Sequence, residues 1–409
     1  MGQSYDICFL SILYPQGIPE YDALTYKHRA QNITAIQNSL LEGIAAANSG
    51  ENPWIINTLL VPLYKKGYTA PTVKERPLAD RQGINHGYLN LPGLHSMSLF
   101  WGARKHIRKW SLNNRNERPK VLIAYSLTSY TLKAMNYAKA LNPSIRTVII
   151  VPDLPQYTYG ETSNPLAKII NALGKHKVIF DIHKYSSQVD GWFCFSEHMQ
   201  EKIPCCKKYM VLEGIASDTF AVIDAKRMRD EDIVEIVYAG GCNKKYGLPL
   251  LIDAFQSIED KKMRLIICGK GDYQTHIEER AREDSRIIYL GEIPRKELLE
   301  LQKGADLLVN PRVNCGIFTK YSFPSKNMES LSSGTPFLGY KLEGIPDEYD
   351  QYINYFSEPT ADSLAEAILA ICNHYDSAKA NALLAQRYVL ETKDKYSWGK
   401  KIIAFFDDL

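Results

Sequence analysis

At 409 residues the chain is too long for one comfortable core and predicts two domains of ordinary size. A charged fraction of 23% against 45% hydrophobic is a globular balance, and a net charge of +3 is too small to argue for nucleic acid as a partner. The eight cysteines show no C-x-x-C spacing, so they signal neither a zinc site nor a disulfide framework and read as small buried hydrophobes in a reducing cytoplasm.

Tyr5 to Leu13 reads as a buried strand, and Arg29 to Asn48 as an amphipathic helix with Ile33, Ile36, Leu40, Leu41 and Ile44 on one stripe. Further strands are predicted at Trp54–Val61, Val121–Tyr125, Ile145–Val151 and Trp192–Ser196, with a helix over Thr131–Leu141. Apolar strands alternating with helices predict a parallel α/β sheet. From Gly214 to Asp232 the pattern gives way to a polar, charged stretch, and the domain boundary is placed there, with a first domain over 1–215.

The second domain, 216–395, restarts the rhythm. Strands are expected at Ile233–Ala239, Arg264–Cys268, Arg286–Leu290, Asp306–Asn310 and Pro336–Tyr340, with helices near Leu248–Ile258, at Arg295–Lys303 and from Pro324. Each half is a Rossmann-like unit, in which ligands bind at the carboxyl ends of the strands and two substrates can meet in a cleft between the domains. The segment 396–409 carries Trp398, Ile402, Ile403, Phe405 and Phe406 and is read as a helix packed across the domain junction.

The most informative stretch runs from Leu307-Leu308-Val309-Asn310 through Pro311-Arg312 to Tyr321-Ser322-Phe323-Pro324-Ser325-Lys326-Asn327-Met328-Glu329. Pro324 suits the first helical position, which puts Lys326 in the first turn among backbone N–H groups. A cation there makes sense if an anion such as a diphosphate docks on those groups and the lysine closes over it. Glu329, one turn on, would then face ribose hydroxyls. The competing reading is an ordinary surface helix start, and the residues alone hold the two level.

Gly240-Gly241 follows a strand and precedes a helix, as a phosphate loop or a plain tight turn does. Gly269-Lys270-Gly271 also ends a strand, without the third glycine of a dinucleotide fingerprint. In the first half Asp153, after Val151-Pro152, could orient an acceptor hydroxyl or take its proton, or could simply hold a turn between two prolines. Gln16 and Gly17 lie in the loop after the first strand and are weak candidates for the same cleft.

Between Trp101 and Lys120 stand Arg104, Lys105, Arg108, Lys109, Arg115, Arg118 and Lys120, with Leu99, Phe100, Trp101 and Trp110 among or beside them. Such a mixture can rest on an anionic membrane face, although a solvated helix face is the commoner cause. No apolar run approaches the roughly 18 residues needed to span a bilayer, so a cytoplasmic chain, soluble or peripheral, is expected. The nine histidines show no metal-binding spacing and no metal is expected.

In their order and spacing these segments resemble the retaining glycosyltransferases of family 4, with the two-domain GT-B fold, especially the branch devoted to capsule and exopolysaccharide assembly. The resemblance rests on Val237-Tyr238-Ala239-Gly240-Gly241, Tyr246-Gly247, Ile267-Cys268-Gly269-Lys270-Gly271, Phe323-Pro324-Ser325-Lys326 to Glu329, Ser333-Gly334-Thr335-Pro336 and Gly344-Ile345-Pro346. In the first half it adds Val151-Pro152-Asp153-Leu154-Pro155, Phe195-Ser196-Glu197 and Glu213-Gly214-Ile215. It implies a nucleotide diphosphate sugar as donor, no cofactor, and a glycan or lipid-linked saccharide as acceptor. It also implies donor contacts from Gly240, Gly241, Gly269, Phe323, Ser325, Lys326 and Glu329, with the leaving phosphate itself helping to deprotonate the acceptor.

The departures are specific. Many relatives carry Arg where this chain has Gly241, Lys where it has Tyr246, a first glutamate where it has Tyr321, and His where it has Pro152. Lys244, Lys245, Arg312, Lys320 and Lys326 can restore the missing charge, and Lys326 and Arg312 are the favoured pair. The expected function is hexosyl transfer to a growing glycan. A non-catalytic GT-B subunit and a nucleotide-sugar epimerase are the alternatives, set apart by absence of donor binding and by release of an isomerised donor.

Overall fold

The computed structural model describes residues 3–14, 27–65, 68–113, 117–158, 165–226, 232–314, 316 and 319–409. Among the candidates, Gln16 and Gly17 lie outside them. The chain divides into two compact units, Met1–Glu213 with Lys395–Leu409, and Gly214–Asp394.

The first unit runs β1 (Asp6–Ser11), α1 (Lys27–Ala47), β2 (Trp54–Asn57), β3 (Thr72–Val73), β4 (Arg76–Pro77), β5 (Gly83–Asn85), β6 (Tyr88–Leu89) and α2 (His95–Ser111). It continues β7 (Lys120–Tyr125), α3 (Ser129–Leu141), β8 (Arg146–Val151), α4 (Pro155–Thr158), α5 (Pro165–Tyr185), β9 (Gly191–Cys194) and β10 (Tyr209–Val211). Eight strands form one sheet in the order β10-β9-β8-β7-β1-β2-β5-β4, in which only β4 runs antiparallel to its neighbour. The central β7 is buried at all six positions, as a parallel strand covered on both faces must be. The predicted strand Trp54–Val61 stops at Asn57, because the Asn57 side chain turns back to bond the N–H and C=O of Leu13. The short strands β3 to β6 and β10 and the long helix α5 are elements that the sequence pattern does not predict.

The second unit runs β11 (Val234–Ala239), α6 (Leu248–Ser257), β12 (Met263–Cys268), α7 (Gln274–Glu283), β13 (Ile287–Gly291), α8 (Arg295–Gly304), β14 (Leu307–Asn310), α9 (Ser325–Ser333), β15 (Phe337–Gly339), β16 (Asn354–Tyr355), α10 (Ala361–Asn373) and α11 (Tyr375–Thr392). Its six strands are all parallel, in the order β13-β12-β11-β14-β15-β16. That order reverses between β11 and β14, the position where doubly wound sheets open a crevice for ligands. Alternate residues of β11 serve two cores: Ile236 and Tyr238 pack with α6 and α10, Val237 with α8, α9 and α11.

The final helix, α12 (Lys395–Asp407), counts with the first unit and lies along α1. The two helices meet backbone to backbone at Gly43 and Gly399, where an added Cβ would fall well under 3.0 Å from the Lys395 and Gly43 carbonyls. Gly43→Ala is therefore expected to lower stability by about 1–3 kcal/mol through overpacking, although alanine is the better helix former. Chemical denaturation reads this as a lower midpoint; an unchanged or raised midpoint would show that α12 can slide.

Of the cysteines, Cys8, Cys194, Cys242 and Cys268 are buried as expected, whereas Cys205 is exposed and Cys206 and Cys372 are half-buried. All seven are free, and Cys315 lies outside the described residues.

Candidate functional site

At the carboxyl end of β11 the chain turns through Gly240 and Gly241 into a single turn of 3-10 helix, Lys244–Tyr246, and then α6. Beside it β12 leads into Gly269, whose φ of +131° favours glycine. Gly240 donates its N–H to the Cys268 carbonyl at 2.9 Å, and a Cβ on Gly269 would collide with the Gly240 carbonyl. The Tyr289 hydroxyl donates to the Gly269 carbonyl at 2.7 Å, and that of Tyr238 to Gly241 at 2.8 Å. Backbone fits against backbone here, which holds the loop in one shape.

Helix α9 begins at Ser325, one residue later than expected. Pro324 stands just before it with φ −67° and ψ 109°, because its extended ψ serves the chain entry rather than the helix. Lys326 remains in the first turn. The helix is held at its far end by Gly334 at φ 71°, by Lys379 donating to the Gly334 carbonyl at 2.8 Å and by Gln386 donating to Ser332 at 2.8 Å.

The Lys326 ammonium lies so close to Gly240 that a side chain at that glycine would occupy its place. It also sits over the Tyr238 ring, 5.4 Å from the centroid. Burial pushes Lys326 down to about 8, against the pull of Glu329 and Cys242 and with a further push from Arg312. A desolvated ammonium beside a second cation is a site built for an anion.

Arg312, two residues after β14, extends toward Ser322 Oγ at 3.4 Å, and its guanidinium carbon lies 5.7 Å from the Tyr246 ring centroid. Asn310 ties this turn to α9, donating to Asn327 Oδ1 at 2.9 Å. Lys245 is exposed with its ammonium over the other partner of this cluster, the Tyr246 ring, at 5.3 Å.

The structure thus brings Gly240, Gly241, Gly269, Lys326, Arg312 and Lys245 to the β11–β14 switch point. Other candidates stand differently. Phe323 is buried in the core with its ring 5.4 Å from that of Tyr349, so it supports the helix entry from beneath. Ser325 is exposed. Glu329 accepts from Gln302 Nε2 at 3.0 Å and forms an ion pair with Arg295, both on α8. Asp153 is exposed in the first unit after β8. Tyr238, Arg295 and Gln302 escaped sequence reading, since their partners lie 27 or more residues away or across a strand-end turn. Among the described residues no group of three His, Cys, Asp or Glu side chains stands where it could hold a metal.

Residues 220–383 match the family model described as glycosyl transferases group 1. The matched stretch lies within the second unit. Similarity to curated proteins is partial: a phosphatidylinositol N-acetylglucosaminyltransferase gpi3 subunit of Schizosaccharomyces pombe is 21% identical over 173 residues, 41% of this chain and 36% of that protein. The chain spans about a third of the length of the curated relatives it matches. Among solved structures, a sucrose-phosphate synthase from Thermosynechococcus elongatus superposes with a TM-score of 0.61 at 13% identity, over 98% of each chain. HepE from Anabaena, solved with UDP, gives 0.59 at 12% identity over 99% of this chain and 100% of its own. These likenesses establish the GT-B fold, two Rossmann-like domains.

Proposed function

We propose that this protein transfers a hexosyl unit from a nucleotide diphosphate sugar to a glycan acceptor carried on a lipid, with retention of anomeric configuration, without a metal, and in capsule or exopolysaccharide assembly at the cytoplasmic membrane face. The observation that carries the reading is the Lys326 ammonium seated against Gly240 at the switch point, with Arg312 nearby. Two cations and the N-terminus of α9 suit the two phosphates of a donor. The relative solved with UDP has the same fold, which favours this donor class.

Arg312 also answers the sequence departure at Tyr246: its guanidinium leans on the ring of the residue that replaces the family's lysine. Catalysis then rests on stabilising the departing diphosphate. Glu329 reaches a ribose only by sharing or leaving Arg295 and Gln302. Asp153 is kept as the acceptor-side candidate, to orient the attacking hydroxyl.

Calorimetric titration of the purified chain with UDP, GDP and dTDP, then with their sugars, tests the reading. One diphosphate series is expected to bind. A folded protein that binds none of them would sink the donor assignment.

A further inference from the structure

We propose that the outward stripe of α2, in the first unit, is a docking surface for an anionic phospholipid bilayer. Helix α2 packs inward through Ala103, Ile107 and Trp110, and closely through Gly102 against the Gly87 backbone. On the opposite side, at spacings of three or four, lie Leu94, Met97, Trp101, Lys105, Arg108 and Leu112. The four apolar members are 44%, 55%, 57% and 50% exposed, although they occupy the positions that a solvated helix gives to polar residues.

Beside the stripe opens a groove of about 420 Å³ between α2 and the β3–β6 pair, lined by Val73, Tyr88, Leu89, Leu94, Met97 and Trp101. Arg104 stacks on Trp101 and on Tyr137, 5.0 Å from each ring, which keeps the indole turned outward.

Charge complementarity identifies the occupant. No Asp or Glu occurs between Asp80 and Glu117. Asp6 accepts from Trp110 on the inward side of the helix, and Glu75 is held by Lys105 and His106. Arg108 and Lys109 in the last turn are exposed. Cations at a helix C-terminus serve the helix itself, but that accounts for neither Trp101 nor Met97. Apolar side chains and cations at one level along a single stripe match the boundary between acyl chains and anionic headgroups. A bilayer satisfies both at once. The purpose of the surface rests on the lipid-linked acceptor proposed above, and its binding is measured without donor or acceptor, so either reading can fail alone.

The full chain is sedimented with phosphatidylcholine vesicles containing or lacking phosphatidylglycerol, at low and high salt. Binding is expected to the anionic vesicles and to weaken with salt. At roughly fivefold per cation, and more on charge reversal, Arg108→Glu with Lys109→Glu should lower partitioning more than tenfold. Met97→Ser with Trp101→Ser should lower it at both salt concentrations with thermal unfolding unchanged, because those side chains are exposed. The charge-reversal pair loses its favourable place at the helix C-terminus and is expected to unfold a little earlier, so its partitioning is measured well below that transition. A wild-type chain that stays in the supernatant overturns the proposal. So do double variants that partition like wild type, or a concentration-dependent dimer abolished by Met97→Ser with Trp101→Ser, which would assign the stripe to a second copy.

Discussion

Lys326→Ala is expected to lower turnover with the donor by about 10²–10³-fold, the loss of about 2.7–4 kcal/mol that follows removal of one preorganised group stabilising a departing oxyanion. The side chain is the cation packed against the phosphate-loop candidate Gly240, so its removal leaves Arg312 and the exposed Lys245 as the cations of the cluster. Near-normal turnover would falsify the donor-site assignment. Lys326→Arg is not a conservative control, since a planar guanidinium differs in shape and donor geometry from the ammonium seated beside Gly240.

The protonation of Lys326 adds a pH signature. Burial holds its ammonium at about 8 in the folded protein, so diphosphate affinity should weaken as pH rises through 8, and bound anion should draw a proton in. Between about 8 and the ordinary lysine value the unfolded chain binds more protons than the folded one, so this group makes stability rise with pH across that window. The Lys326 contribution to both trends should be lost in Lys326→Ala, which leaves the stability slope to the other shifted groups such as Lys133 and Lys379. Affinity measured at pH 7, 8 and 9, with unfolding free energy over the same range and above it, checks each sign.

Lys120→Ala is expected to destabilise the first unit by about 3–5 kcal/mol, because it strands a carboxylate that is mostly withdrawn from water. Lys120 opens β7 opposite Asp6 of β1. It is 7% exposed, pairs with Asp6, and donates to the Trp110 carbonyl at 3.1 Å, while Trp110 Nε1 donates to Asp6 at 2.8 Å. Denaturant unfolding of the full chain should show the loss in the transition of this unit. Asp6→Asn with Lys120→Met should recover much of it, because removing both charges leaves neither unpaired. Equal stability of Lys120→Ala and wild type would mean that the cluster contributes nothing.

Lys120 also shows where sequence reading ran short. It counted there as one of seven cations in a basic, aromatic run, yet it is a buried partner of Asp6, while Arg118 pairs with Glu51. Of the aromatic residues read with it, Trp110 is buried and Phe100 packs edge-on against Tyr137, leaving Trp101 exposed. A run of charge says nothing about which face each residue takes until the helix is packed.

The sequence by itself determined the alternation of apolar strands and helices in both halves, the break near Gly214, and the glycines at strand ends. These are local properties, set by side-chain periodicity and by the few residues that tolerate tight turns. Lys326 in the first turn of a helix was legible for the same reason. Only the tertiary structure decided that Lys326 meets Gly240, 86 positions earlier by their numbering, and that Arg312 leans on Tyr246. It likewise decided that Glu329 is shared by Gln302 and Arg295, and that Phe323 belongs to the core. Parallel strands need long crossovers, so neighbours in the sheet lie far apart in the chain, and the order β12-β11-β14 that assembles the site leaves no periodic trace in sequence.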